Sequence, residues 1–315
     1  MELKSKADRL AFINKQFGIT EKALDKSLVN FEKLLASEYR RTLKDVNTTL
    51  KDMYAKYSVN GALSREELMK YNRFNVIEKE IKKELQRLGV VTNSVTKNTI
   101  NSTLWESYDK TRWSLEQGLS VKSSMYGLNK SLIEANLLNP FDRIGWGTRQ
   151  SLHITEDFNR IVQSISTGAV QGLPYRETAK LVTSSLDSNF FKAVRIIRTE
   201  QHRAAQVANN LAIEDVNAAA ARLGVTISKK WSSFTDDVTR PSHLELDEQV
   251  ADKDGNFYTS DGLVAQYPGG FGVAAEDINC RCSLVTDVEG LDDNQDDVEV
   301  QNYDSWKTDF DKRVK

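Results

Sequence analysis

The apolar positions Leu24, Leu28, Phe31, Leu35, Tyr39, Leu43, Val46, Leu50, Met53 and Tyr57 follow one another in steps of three or four. That is the spacing of one face of an amphipathic helix, so this stretch predicts one long helix. Asn60-Gly61 interrupts the pattern, and Ser64 followed by Glu67 has the form of a capping box. A second helix is then expected through Leu68, Tyr71, Phe74, Ile77, Ile81, Leu85 and Leu88, closed by Gly89. Two long helices joined by a short turn predict an antiparallel hairpin. A third helical stretch, Ile100 to Leu115, supplies a further wall of a bundle.

Between Gly118 and Gly147 the period is lost, with Gly127, Asn139-Pro140 and Gly145 as breakers, and a domain boundary is expected there. Ile154, Phe158, Ile161 and Ile165 define another helix, ended by Gly168 and Gly172-Leu173-Pro174. Pro174 opens a short helix through Leu181 and Val182, and a long alanine-rich one is expected from about Ser188 to Arg222. Its small side chains suit a buried central helix. Gly224 reads as its C′ residue, after which Val225, Ile227 and Trp231 give the first strand signal. The last strand is expected from Val273, Cys282, Leu284 and Val285. The chain is thus read as mainly α with a small α+β C-terminal domain. Residues 1–145 form a helical N-terminal domain, 146–225 a helical region, 226–290 the α+β domain and 291–315 an acidic mobile tail.

Composition narrows the class. In 315 residues, 39% are hydrophobic and 28% charged, no apolar run approaches bilayer-spanning length, and the start MELKSKADRL lacks a signal-peptide core. Assembly in the cytoplasm of the producing cell is expected. The two cysteines, Cys280 and Cys282, are too few for a disulfide framework and are read as reduced. Charge is uneven along the chain. Residues 1–100 carry 20 Lys and Arg against 13 Asp and Glu, an excess of +7, while residues 201–315 carry 11 against 22, or −11. A basic helical half can lie on nucleic acid without sequence preference, although such an excess is more often a solvated face.

Four landmarks stand in order: Arg198-Thr199-Glu200, Trp231, Asp236 through Thr239-Arg240-Pro241-Ser242-His243, and Asn279-Cys280-Arg281-Cys282. Together, over about 90 residues, they resemble the phage Mu protein F-like family of minor head, or head morphogenesis, proteins. The resemblance implies a virion component in few copies, associated with the portal vertex and with portal, capsid or scaffold proteins. It further implies a role in head formation and in DNA packaging or ejection. It does not cover the first 145 residues.

His243, Cys280 and Cys282 are soft ligands suited to Zn²⁺. A fourth ligand is not evident, and Asp236, Asp237 or Asp277 is a candidate. The competing reading makes His243 a turn cap and the cysteines small buried residues. Arg198, Thr199, Glu200, Trp231, Arg240, Asn279 and Arg281 are read as structural, with Arg198/His202 and Glu200/Arg203 spaced to pair on helix surfaces. Catalytic alternatives are weaker. An ADP-ribosyltransferase-like site needs a Glu-x-Glu after its Arg, and the chain has only Glu78-Lys79-Glu80, upstream on a helix. A Cys/His hydrolase lacks a recognisable orienting group, and no phosphate-cradling GxxxxGK[ST] motif, HExxH or GxGxxG occurs. A non-enzymatic protein is expected.

Overall fold

The computed structural model describes residues 1–123, 142, 144–291 and 298–314. Helix α1, Lys6–Tyr57, contains the expected series and begins well before it. Asn60 (φ 52°) and Gly61 (φ 79°) make the turn, and Ser64 Oγ accepts from Glu67 N at 3.2 Å to cap α2, Arg65–Met69. The second helix departs from expectation. It breaks at Tyr71, whose φ of 52° sits inside the 3₁₀ turn Lys70–Asn72, and Tyr71 is exposed rather than on the apolar face. Arg73 then starts α3, Arg73–Leu119, and stacks 4.0 Å over the Tyr57 ring.

Gly89 does not end that helix. It lies inside α3, and the stretch from Ile100 is the same helix continued. A mid-helix glycine costs roughly 1 kcal/mol against alanine. Here a Cβ would meet Ile154 Cγ1 at 3.4 Å, so Gly89 marks a close packing site. Two more elements merge further on. After α4, Trp146–Val170, the expected short and long helices are one, α5, Tyr175–Ala220, followed by a 3₁₀ turn and Gly224 at φ 76°. Most of the expected 118–147 boundary lies outside the described residues.

The described chain forms two compact units, each drawing on segments from either side of residue 145. Unit 1 comprises Met1–Leu28, Thr99–Arg143 and Arg198–Lys315, and unit 2 comprises Val29–Asn98 and Ile144–Ile197. Unit 2 is helical. Leu35, Val46, Leu50, Ile81, Leu85, Leu88, Ile161, Ile165, Val182 and Leu186 are buried in it. Arg87 joins α3 to α1 through Glu38 (2.8 Å) and Thr42 (3.1 Å), and Tyr54 Oη reaches the Leu173 carbonyl and Thr178. A Cβ on Gly168 would sit 2.4 Å from Thr178 Oγ1, which explains why α4 carries glycine where α5 approaches.

Unit 1 is α+β. Strand β2, Thr226–Ser232, pairs antiparallel with β5, Ser283–Glu289, in the register Trp231↔Leu284 and Ser232↔Ser283. Two short pairs accompany it: β1, Glu2–Leu3, with β6, Val298–Glu299, and β3, Phe257–Tyr258, with β4, Val264–Ala265. The buried alanines Ala204, Ala205, Ala208 and Ala212 bear out the reading of α5 as a central helix. Val273 and Cys282 are not in the last strand: Val273 is the N-cap of the single-turn helix α7, Ala274–Asp277, and Cys282 directly precedes β5.

Part of the expected mobile tail is folded. Helix α8, Tyr303–Val314, buries Trp306 and Phe310, which stack at 5.0 Å, and Trp306 Nε1 donates to Glu116 Oε2 at 2.9 Å. The acidic run hid the helical spacing of Tyr303, Trp306 and Phe310. Among the described residues no helix is long and apolar enough to cross a membrane.

Candidate metal centre

Three segments of unit 1 converge beside Trp231. The first is the segment leading into β5, in which Cys280, Cys282 and Leu284 are buried and alternate with more exposed neighbours. Asn279, at φ 59°, turns the chain into this segment, and its N–H donates to Thr199 Oγ1 on α5 at 3.3 Å. The second segment is helix α6, Pro241–Leu244, started by proline at its first position with Arg240 as N-cap. Arg240 Nη2 donates to the Ile278 carbonyl at 2.6 Å, which pins α6 to the cysteine segment. The third is α7, which carries Glu276 and Asp277.

His243 on α6 is 1% exposed, and its Nδ1 lies 3.3 Å from Cys282 Sγ and 3.7 Å from Cys280 Sγ. The ligand atoms of the three residues all fall within 4.8 Å of one another. The opposite ring nitrogen, Nε2, lies 3.0 Å from Glu276 Oε2. Trp231 closes one side, edge-on to His243 at 5.8 Å and to Phe257 at 5.2 Å. Hydrogen bonding from Cys280, then His243, draws Cys282 well below an ordinary thiol, while the same contact and burial push Cys280 up. Burial also pushes His202, on α5, down to about 4; Cys282 and His243 are the groups its charge would feel.

The sequence-derived residues distribute unevenly. His243, Cys280 and Cys282 come together although thirty-seven positions separate the first two. The three aspartates are engaged elsewhere or exposed. Asp236 is held in a two-point ion pair by Arg281 (2.6 and 2.7 Å) and bonded to Thr239, so its carboxyl stays far below the usual range. Asp237 is exposed, and Asp277 accepts the Phe271 and Gly272 N–H groups. Trp231, Thr199, Arg240 and Asn279 make the contacts given above, and Glu200 pairs with Arg203 at 3.5 Å in the buried interior. Two residues near the cluster were not singled out from sequence as candidate ligands, Glu276 and His202. His202 had a visible signal: it is one of only three histidines in the chain, and it falls inside the landmark block.

A soft N/S donor set, buried and converging from three segments, fits a borderline-soft cation such as Zn²⁺ better than Mg²⁺ or Ca²⁺, which take oxygen. The Cys282–His243–Glu276 line also has the order of a thiol nucleophile, base and orienting carboxylate. Cys282 is 1% and Cys280 4% exposed, so neither sulfur is open to solvent.

The model for the phage Mu protein F like protein family matches residues 159–285, which takes in all four landmarks and every residue of the cluster. The minor head protein GP7 of Bacillus phage SPP1 is 29% identical over 279 residues, covering 86% of each chain. The segment 159–285 is thus similar to the phage Mu protein F-like family, and most of the chain to a minor head protein. Another similar protein is the NAD(+)–arginine ADP-ribosyltransferase EFV of Enterococcus faecalis, 30% identical over 284 residues, or 87% of this chain. The chain spans little more than half of that protein, 56% of its length. No solved structure matches significantly. The matched segment runs from the second half of α4 through α5 and β2 to the start of β5, so it includes the site just described.

Proposed function

We propose that this protein is a non-enzymatic minor head protein of a tailed bacteriophage, acting in head morphogenesis at the portal vertex. The observation that carries the reading is similarity to the SPP1 minor head protein over 86% of both chains, joined to the family match. Its partners are the portal and the capsid or scaffold proteins around it. It is made in the host cytoplasm and ends in the virion, and it contributes to packaging or ejection of DNA through structure rather than turnover. The basic N-terminal hundred residues give any DNA contact the character of a sequence-independent, salt-sensitive one.

The test is a mass-spectrometric inventory of purified virions, with and without the gene. The protein should be present in few copies and co-purify with the portal, and heads assembled without it should differ in composition, DNA content or infectivity. Identical particles would overturn the assembly role.

The name of the enterococcal relative favours a second reading, arginine ADP-ribosylation. Against it, Glu78 and Glu80 precede Arg198 in sequence and lie on helix α3, and 44% of that relative lies outside the match and is free to carry its named activity. Purified chain incubated with labelled NAD⁺ and arginine-rich acceptors should transfer no label. Transfer abolished by Glu80→Gln would establish the enzyme instead.

A further inference from the structure

The cluster beside Trp231 has three converging donors, and tetrahedral zinc takes four. We propose that unit 1 holds one structural Zn²⁺ through Cys280 Sγ, Cys282 Sγ, His243 Nδ1 and His202 Nε2, with Glu276 orienting His243 from its far side.

The spacing of the triad is the first support. Zn–S bonds of about 2.3 Å and Zn–N bonds of about 2.0–2.1 Å, set at a tetrahedral angle, put nitrogen and sulfur roughly 3.5 Å apart. The two observed separations, 3.3 and 3.7 Å, lie on either side of that value. A turn-capping histidine has no reason to aim one nitrogen at two sulfurs.

The far side of the ring is the second. Metal-ligating histidines donate their other N–H to a carboxylate or carbonyl, which fixes the tautomer and strengthens the ligand. Glu276 Oε2 stands 3.0 Å from Nε2, at ion-pair distance although the contact lacks hydrogen-bond geometry, and leaves Nδ1 for the metal.

The fourth ligand follows by elimination and by an orphaned atom. Asp236 is committed to Arg281, Asp277 to two backbone N–H groups, and Glu276 to the wrong side of the ring. His202 remains. Its Nε2 is buried without a hydrogen-bond partner, an arrangement that costs free energy unless something occupies that lone pair. His202 stands outside the 4.8 Å group but close enough to interact with Cys282, including its backbone, and with His243.

Binding balances simply. Zn²⁺ displaces the thiol protons, which leave to solvent as two Zn–S bonds form, and the two neutral imidazoles coordinate through lone pairs. Dication and two thiolates sum to zero, so the interior carries no net charge. The ion would tie α5, α6 and the segment before β5 together and close the loop from residue 244 to 279.

Full-length protein purified under reducing conditions should contain one zinc per chain by inductively coupled plasma mass spectrometry. Co²⁺ substitution should give the intense visible bands of a tetrahedral thiolate site. Cys282→Ser should abolish both. His202→Ala should weaken cobalt affinity at least tenfold and shift the bands toward an open coordination position, with added imidazole restoring them. Glu276→Gln, a shape-conserving change, should weaken affinity about 10- to 100-fold with the fold kept, as measured by circular dichroism. Folded wild-type protein with neither zinc nor a cobalt spectrum would overturn the site, as would rapid alkylation of Cys282 by iodoacetamide in the zinc-supplemented protein. An unchanged cobalt spectrum in His202→Ala would overturn the four-ligand set. Should the variants fail to fold, chelator extraction of the wild type decides: hydrogen-exchange protection around Trp231 that survives complete extraction would rule out a structural ion.

Discussion

The two compact units of this chain are stabilised by different means. Unit 2 is a helical assembly in which aliphatic side chains at steps of three and four meet across α1, α3, α4 and α5, supplemented by hydroxyl and amide contacts such as Gln150 Nε2 to Thr96 Oγ1 at 2.8 Å. Unit 1 depends on a few large aromatics and on polar groups far apart in sequence. Trp231 is fully buried among Phe257, Phe271 and His243, while Trp306 and Arg112 converge on Glu116. A helical seam spreads its stability over many interchangeable contacts. An aromatic knot with a buried polar network concentrates it, because each lost partner leaves a desolvated group behind. The family block falls mostly in the second kind of structure.

That contrast predicts the largest loss at Trp231. Trp231→Ala should cost about 3–5 kcal/mol, as for other fully buried aromatics, and hydrogen exchange should show protection lost across β2 and β5 before α4. Equal loss in both units would mean that their stabilities are not separable.

The counterpart in unit 2 is Leu35, fully buried on α1. Leu35→Ala should cost about 2–5 kcal/mol, toward the lower figure because a helical seam can partly collapse. Leu35→Asp should cost more by placing an unpaired charge there. Chemical denaturation followed by exchange would read both, and an Ala variant costing more than Trp231→Ala would reverse the comparison.

A pH effect sharpens it further. Asp157, on α4, is pushed by burial from 3.8 up to about 7, against a hydrogen bond from Asn189. Its folded form binds a proton more tightly than the unfolded chain, so this contribution is fully present below about pH 4 and is lost as pH rises through about 7. Exchange protection in α4, taken relative to the intrinsic amide rate at each pH, should therefore fall between pH 5 and 8. Asp157→Asn should flatten that fall; a fall that survives the substitution would assign it to another group.

The smallest effect is expected at Arg281, whose ion pair with Asp236 is well formed but partly exposed and whose guanidinium lies 4.9 Å from the Phe234 ring. Arg281→Lys should leave the melting temperature nearly unchanged. A large drop would show that the loop it anchors, and not Trp231, limits unit 1.

Legibility followed the same division. Helix α1, the turn at Asn60-Gly61, the Ser64 cap, Gly224 and the existence of β2 were readable because each is a local signal of period, cap or backbone freedom. Gly89 and Tyr71 were misread for one reason. A glycine looks like a terminator, and an aromatic in phase looks like a core residue, until the neighbouring helix is known to approach one and the backbone to turn left-handed at the other. Helix α8 was missed because acidic composition outweighed three aromatics at helical spacing. At the candidate site His243, Cys280 and Cys282 were legible as rare soft ligands. Glu276 was not, and neither was the proposed part of His202, since a common glutamate and a helical histidine are told apart from their like only by what surrounds them.

The sequence by itself determined that this chain is mainly helical, where its first helix turns, that a small α+β block follows Gly224, and which family that block resembles. These depend on the order of residues along a few turns of chain or on motifs short enough to be read in line. Only the tertiary structure decided that each unit is assembled from segments on either side of residue 145, that the chain's last described helix buries Trp306 against Glu116, and that one imidazole faces two sulfurs with a carboxylate behind it. Each of these is a contact between residues tens to nearly two hundred positions apart, and local propensity carries no information about which distant partner a side chain will find.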